Sequence, residues 1–475
     1  MSATFITDED VDLSVNDKLK VIMDSFRNRY GRKPDFVSRS PGRVNLIGDH
    51  IDYEDFSVLP MAIELGVLCA VKCVDDQQTA VIKLSNSDST FGDRTVELPP
   101  DGDLVTIDPA VSDWSNYFKC GLLVAQQHLK RLFPDRFSTS ALKGMEVFVT
   151  GDVPAGLSSS AAFICAVALA VIRANLGRDH QIPKQDLMNI TVVAEHYVGV
   201  NNGGMDQAAS VCGETDHALY VQFRPELKAT AFMFPKLDHS EVNFIVANTL
   251  KVSNKVETAP THYNLRVLEV TLAANVLAKN YGVELPSDGN MKKGTLRSFM
   301  DAYWQKFHGA TSPWEGDIDS GITRMNAMLG LVESCFGDRK SLGVVDVAAS
   351  LGCTSDELKK DFLSHFPVRF ETLRLYQRSK HVYSEAIRVL EALKILTAKT
   401  FDSDEAFFSS FGALMNESQQ SCDVLYECSC AETDEICRIA RASGASGSRL
   451  TGAGWGGCTV HLVPSSKVND VKRTH

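Results

Sequence analysis

Hydrophobic positions along this chain recur with two different periods. Residues 14 to 30 place Val15, Leu19, Ile22, Met23 and Phe26 on one side of a helix. Residues 56 to 84 alternate and cluster apolar side chains, as in SVLPMAIELGVLCAVKCV, in the manner of strands. Asp113 is placed to cap a helix that opens on Trp114 and Tyr117. The most apolar run, Phe163 to Ile172, reads as a buried helix. After residue 215 strand-like patches, AFMFPKL and NFIVANTL, lead into helical stretches at 264–279 and 369–396. Polar residues near 285–320 divide those stretches and read as an insertion. Strands and helices mixed in this way predict an α+β fold. At 475 residues the chain exceeds what one core supports, so two domains are expected, 1–248 and 249–475.

Composition narrows the classes of function. A hydrophobic fraction of 44% with 23% charged residues is ordinary for a globular protein. The net charge of -12 argues against a nucleic-acid surface, which needs concentrated Lys and Arg. It does not argue against a nucleotide, because Mg²⁺ and backbone dipoles supply a local positive field. The acidic start MSATFITDEDVDL lacks the features of a signal peptide, and the Phe163–Ile172 run is about half of a bilayer span. A cytoplasmic protein with no membrane partner is expected. The cysteines, 12 in all, lie mostly among apolar neighbours, and Cys422, Cys428, Cys430 and Cys437 match no paired zinc spacing.

Chemistry concentrates in RSPGRVNLIGDHIDYEDFSVLP, residues 39–60. Within 10 residues it sets Arg43, Asn45, Asp49, His50 and Asp52 among apolar Val44, Leu46, Ile47 and Ile51. That pattern reads as a strand running into a loop, with carboxylates and an imidazole suited to a hydroxyl-rich ligand; a solvated turn with a chance ion pair is the alternative. A second stretch, Gly151 to Ala162, is a Gly- and Ser-rich turn that runs straight into the apolar helix. Unpaired N–H groups at such a helix entrance form a phosphate site, although a serine-capped buried helix accounts for the same residues. No Walker loop occurs in the chain. Next come Glu195, in Ala194-Glu195-His196-Tyr197, and the turn Asn201-Asn202-Gly203-Gly204, which delivers Asp206 to the start of a helix. A capping role is the simplest account of Asp206 there. Finally Gly452, Gly454, Gly456 and Gly457 crowd four glycines into six residues before a strand, which calls for close backbone approach.

The segment Gly42-Arg43-Val44-Asn45-Leu46-Ile47-Gly48-Asp49-His50-Ile51-Asp52-Tyr53 resembles the galactokinase signature, where the family has Glu at the position of Asp49. The serine-rich turn resembles the second signature of the GHMP small-molecule kinases, and residues 447–460 resemble the third. Together the likeness covers residues 15–464, and the yeast-type galactokinases with their galactose-sensor paralogue are the most similar in motif. The resemblance implies a two-domain GHMP kinase fold with its active site in the interdomain cleft, using ATP and Mg²⁺ to phosphorylate the C1 hydroxyl of galactose. It implies that Asp206 acts as base or orienting carboxylate and that Arg43 stabilises developing charge. Asp49, His50, Asp52, Gly203 and Tyr263 would bind the sugar. Gly156, Leu157, Ser158, Ser159 and Ser160 would bind ATP, with Trp114 and Tyr117 near the adenine, and Ser160 and Glu195 would hold Mg²⁺.

Two departures from the family stand out. The family writes Pro-x-Gly-x-Gly-Leu-Ser-Ser-Ser-Ala, whereas Pro154-Ala155-Gly156-Leu157 is two residues shorter. Yeast-type relatives also run on past the position of His475, through a helix and strand that finish the second domain, so an uncovered apolar face is expected here. The short loop keeps a second function in view, a galactose- and ATP-binding sensor that relieves a transcriptional repressor.

Overall fold

The long strand Phe36–Ile47 carries the chain from one packing unit into another. The computed structural model describes residues 3–6, 17–74, 81–100, 102–154, 156–200, 202–251, 258–398 and 401–473. Its first unit comprises Met1–Arg43 and Met61–Thr215, and its second Val44–Pro60 and Asp216–His475. Val15, Ala155 and Asn201 lie outside the described residues. The expected division after residue 248 differs from these units in two ways, both caused by hydrogen bonding between segments remote in sequence. Residues 242–248 pair with a strand near the C-terminus, and Val58 bridges Val221, which draws the stretch after Arg43 into the second unit.

The first unit is built on a six-stranded sheet. Its strands are β1 (Thr4–Ile6), β2 (Phe36–Ile47), β3 (Leu59–Val74), β4 (Val81–Asn86), β5 (Arg94–Glu97) and β6 (Gly144–Gly151), in the order β1-β2-β3-β6-β4-β5. The helix Asp17–Tyr30 lays Leu19, Ile22 and Phe26 on Val37, Leu68, Ala70 and Phe148, which is the face its periodicity predicts. The helices Ser115–Leu132 and Ser159–Leu176 pack so closely that a Cβ at Gly121 would stand 2.7 Å from the Ile164 carbonyl. Ser159–Leu176 is longer than its most apolar run suggests. It has the length and hydropathy of a membrane span, yet 78% of it is buried, so its all-round apolar surface is accounted for by core packing.

In the second unit β7 (His217–Gln222) and β8 (Lys228–Met233) form a hairpin. The strands β9 (Val242–Asn248), β10 (Gly447–Thr451) and β11 (Cys458–Pro464) form a sheet ordered β10-β11-β9. Long helices surround them, among them Tyr263–Tyr281, Leu375–Thr397 and Asp404–Val424. The stretch read as a polar insertion holds the helix Leu296–His308, capped by Thr295 and burying Leu296, Phe299 and Met300. The apolar face expected to lie uncovered is packed in part, since Val468 and Val471 sit against Val463 and Ala445.

The core of this unit contains an ionic network. Arg449 and Asp49 form an ion pair with almost no solvent exposure, and Asp49 also accepts from Asn45 Nδ2 at 2.8 Å. Glu385 accepts from the Gly48 amide at 2.8 Å, from Ser418 Oγ at 2.6 Å and from Arg388 Nε at 2.8 Å. His381 Nε2 donates to the Asp49 carbonyl at 3.0 Å, which leaves Nδ1 to accept from Ser421 Oγ at 2.9 Å. Burial pulls His381 down to about 4 and His50 down to about 3. Burial opposes ionisation of Glu385, but Arg388, Arg449 and His381 outweigh it and hold that carboxyl well below its usual range.

These shifts have a definite sign. The unfolded chain protonates its histidines near 6.5, before the folded state can, so stability is intact above that pH and falls as pH drops toward 4. Glu385 contributes stability above about 4.5 and loses it only below. Between pH 6.5 and 5 Glu385 stays ionised and each buried histidine costs about 2 kcal/mol for ~1.5 pH units, opposed in part by Glu54, whose carboxyl burial holds well above its usual range. His128 and His262, also held low by burial, act in the same direction. Urea denaturation at pH 7 and pH 5 should show a clear drop in midpoint, and His381→Gln should reduce that drop. A midpoint independent of pH across this window would mean that these imidazoles take up protons in place.

Candidate active site

In the first unit the serine-rich turn stands against strand β2. Leu157 N donates to Pro154 O at 3.1 Å, and Arg43 N donates to Leu157 O at 3.1 Å. Gly42 allows this approach, because a Cβ there would lie 2.7 Å from the same Leu157 carbonyl. Gly156 has φ +95°, and Ser158, although not glycine, has φ +63°. The helix then begins at Ser159, which is exposed, whereas Leu157 is buried and offers only its backbone.

Two carboxylates converge on this turn. Asp206 Oδ1 accepts from Arg43 Nε at 2.7 Å, and its Oδ2 accepts from Ser158 Oγ at 2.5 Å. Arg43 also donates to the Gly156 carbonyl at 3.0 Å, so one guanidinium ties the base candidate to the loop. Asp206 sits in the first turn of the helix Met205–Cys212, whose N-cap is Gly204 with φ +96°. A Cβ at Gly204 would stand 2.6 Å from Val192 Cβ, which explains the glycine beside Gly203. The Asp206 carboxylate thus reaches across to Arg43 and Ser158. Glu195, on the 3₁₀ turn Ala194–Val198, accepts from Ser160 Oγ at 2.6 Å, Asn202 Nδ2 at 2.5 Å and Gln207 Nε2 at 2.9 Å. Burial and then the Glu195 charge push Tyr117 up to about 12. Trp114 donates from Nε1 to Gly92 O at 3.0 Å and stacks on Phe163, with centroids 6.1 Å apart. Asp113 binds Ser115 N at 2.9 Å and pairs with Arg94. Burial alone would raise its pKa, but the bonds from Arg94 and Ser115 take it down to about 2.

The signature loop in the second unit gives its polar side chains interior partners. Asp49 serves Arg449 and Asn45, as described above. His50, with φ +61°, must donate from Nε2 to the Ala453 carbonyl at 2.9 Å. Its Nδ1 therefore accepts from Tyr53 OH at 3.0 Å, and Tyr53 in turn accepts from Tyr426 OH at 2.6 Å. The His50 ring lies 5.3 Å from Tyr263, 4.9 Å from Tyr426 and 5.5 Å from Trp455, centroid to centroid. Asp52 is buried in the 3₁₀ turn Asp52–Glu54. The structure brings His50, Tyr53, Tyr263, Tyr426 and Trp455 into one aromatic cluster. Tyr426 belongs to no motif, and Arg449, Asn202 and Gln207 were each within reach of a motif without a chemistry of their own to mark them.

Among the described residues no group of three or more His, Cys, Asp or Glu side chains is placed to hold a metal. A cation bound here would meet a different donor set, one carboxylate with hydroxyl and amide oxygens. That set suits Mg²⁺, which takes one or two carboxylates and completes its shell with water and phosphate oxygens. Glu195 is buried and accepts from neutral donors, with no Lys, Arg or His paired to it among the described residues, which fits a carboxylate that holds a divalent cation.

Comparison with known proteins agrees with this geometry. Residues 24–73 match the galactokinase galactose-binding signature, 116–214 the GHMP kinase N-terminal domain and 404–474 the GHMP kinase C-terminal domain. The chain is 60% identical over 463 residues to a galactokinase of Saccharomyces cerevisiae, covering 96% of this chain and 88% of that protein. It is 46% identical over 455 residues to a galactokinase of Schizosaccharomyces pombe, covering 94% of this chain and 86% of that one. In fold it is similar to Lactococcus lactis galactokinase complexed with galactose, with a TM-score of 0.66, 23% identity and 96% and 93% of the two chains covered. Methanococcus jannaschii mevalonate kinase shares the fold at a TM-score of 0.51, with 14% identity, 92% of this chain and 93% of that one. A serine-rich turn bound to two carboxylates, an aromatic signature loop and matches along nearly the whole chain place this protein in the galactokinase family of the GHMP kinases.

Proposed function

We infer that the protein transfers the γ-phosphoryl group of ATP to the C1 hydroxyl of galactose. The observation that carries this reading is Asp206 bonded to both Arg43 and Ser158 at the serine-rich turn. A carboxylate oxygen can accept more than one hydrogen bond, so Asp206 is suited to accept from a substrate hydroxyl and take its proton as the oxygen attacks phosphorus. Arg43 fixes the carboxylate in position and offsets negative charge that develops on the transferring group. The turn at Gly156–Ser160 presents backbone N–H groups at a helix entrance, where phosphate oxygens are favoured. Trp114 and Tyr117 lie on the segment assigned to the adenine.

Asp49 and His50 act in this reading mainly by shaping the sugar pocket, since Arg449, Asn45, Ala453 and Tyr53 engage their polar atoms. Asp52, Tyr263 and Gly203 would contact the sugar hydroxyls. Ser160 and Glu195 would hold Mg²⁺, which when bound neutralises phosphate charge. The acidic net charge and the small-molecule site support a cytoplasmic enzyme that binds neither nucleic acid nor membrane. Measuring ADP release with galactose present and absent, with the sugar phosphate identified by NMR, tests the reading. Galactose binding without any turnover would instead favour the repressor-directed sensor.

Replacing Asp206 with Asn should lower kcat by ~10² to 10⁴-fold while the fold and galactose affinity persist. Loss of the folded state in that variant would assign Asp206 a structural role. Asp52→Ala should weaken galactose binding by about 1.5 to 3 kcal/mol in calorimetry, the worth of one charged hydrogen bond; an unchanged affinity would remove Asp52 from the pocket.

The short turn generates a further expectation. Leu157 N donates to Pro154 O, so that amide is turned into the turn itself and does not follow a phosphate chain. Inserting Gly-Ser after Gly156 should raise kcat by at least ~10-fold, about 1.4 kcal/mol of barrier, with sugar affinity unchanged. No gain on insertion would show that the native turn already places the γ-phosphate.

A further inference from the structure

Gln207 and Asn202 share an arrangement that hydrogen bonding within the protein leaves incomplete. Gln207 has no solvent exposure; its Nε2 donates to Glu195 Oε2, and its Oε1 is buried with no hydrogen-bond partner among the described residues. Asn202 repeats the pattern, donating from Nδ2 to the same carboxylate oxygen and leaving Oδ1 buried without a partner. Turning either amide over would set an oxygen against a carboxylate oxygen and strand an NH₂ group, so the bond to Glu195 fixes both orientations. A buried amide oxygen left without a donor is unfavourable, so each points to a donor from outside the protein. The carboxylate itself is satisfied only by neutral donors, namely Ser160, Asn202 and Gln207. Hydroxyl and amide groups thus surround the Glu195 carboxylate, with no Lys, Arg or His paired to it among the described residues.

We propose that Gln207, supported by Asn202, is a positioning residue for the divalent cation that accompanies ATP. Its NH₂ group holds Glu195 in the coordinating orientation, and its oxygen accepts a hydrogen bond from the hydration shell of the ion. This rests on the reading of Ser160 and Glu195 as the cation ligands. Mg²⁺ keeps several of its waters when bound, so buried acceptors around it have donors to satisfy them. Outer-shell partners of this kind carry ~10 to 100-fold in metal affinity.

Manganese(II) titrated into the whole protein with ADP present, followed by electron paramagnetic resonance, measures the ion directly. Gln207→Met keeps the volume and removes both polar atoms, and should weaken Mn²⁺ by ~10-fold or more while galactose affinity in calorimetry stays at the native value. Gln207→Glu restores an oxygen; it should lower the melting temperature of the ion-free protein through repulsion with Glu195 and bind Mn²⁺ at least as tightly as the native chain. Glu195→Gln separates the layers of the argument. If it loses Mn²⁺ while folded Gln207→Met does not, the Gln207 assignment fails alone. If Mn²⁺ affinity survives Glu195→Gln, the cation lies elsewhere and both readings fall. Should Gln207→Met not fold, Gln207→Glu decides, because weaker Mn²⁺ binding in that variant overturns the proposal.

Discussion

The ion pair between Arg449 and Asp49 is the constraint on which the signature loop depends. Both side chains are withdrawn from water, and removing one partner of such a pair costs about 3 to 5 kcal/mol because the other is left charged and buried. Arg449 also donates from Nη1 to the Asn45 carbonyl at 2.8 Å, so the guanidinium spans the start and end of the loop. Glu385 takes the Gly48 amide and His381 takes the Asp49 carbonyl, leaving little of the loop's polar backbone unanswered. The aspartate at position 49 suits this role. Its shorter side chain keeps the carboxylate beside its own backbone, where Asn45 and Arg449 both reach it.

Rigidity at His50 follows from the same network. A histidine held in the left-handed backbone region is uncommon, and here the imidazole is fixed at both nitrogens. The chain of donors from Tyr426 through Tyr53 to Nδ1 runs in one direction only, because the Ala453 carbonyl can do nothing but accept. Protonating the ring would need Nδ1 to donate to a hydroxyl that already donates to it. Burial, with His381, Arg266 and Arg449 adding positive charge nearby, keeps His50 neutral far below the usual range of an imidazole. A neutral ring can pack face and edge against Tyr263, Tyr426 and Trp455 without a charge to solvate. The glycines after β10 make the packing possible, since a Cβ at Gly454 would stand 2.1 Å from the Cys428 carbonyl.

Local features were legible in the sequence because their causes are local. The apolar face of Asp17–Tyr30, the turn that sets Asp206 at a helix start and the glycine-rich approach to β11 all follow from spacing and residue type. Partnerships over long separations were not. Asp49 meets Arg449 across 400 positions and His381 across 332, and no pattern around any of them announces the pairing. The same holds for the packing units, whose boundary depends on β9 finding β11 rather than on the change in composition after residue 215. Asp113 shows an intermediate case. Its role at the helix entrance was readable from sequence, while its ion pair with Arg94 came from a neighbouring strand.

Three buried or half-buried carboxylates in this chain show how surroundings assign chemistry to one functional group. Asp49 faces an arginine with no route to solvent, which makes it a fixed structural anion. Asp206 also has an arginine, but it keeps some exposure and shares its second oxygen with a hydroxyl, so it can exchange that contact for another hydroxyl without losing its counter-charge. Glu195 has neutral donors only. Of the three it is the carboxylate that no Lys, Arg or His pairs with among the described residues. The difference lies less in the acids than in what each neighbour offers: Arg449 and Arg43 bring charge, whereas Gln207, Asn202 and Ser160 bring orientation without charge.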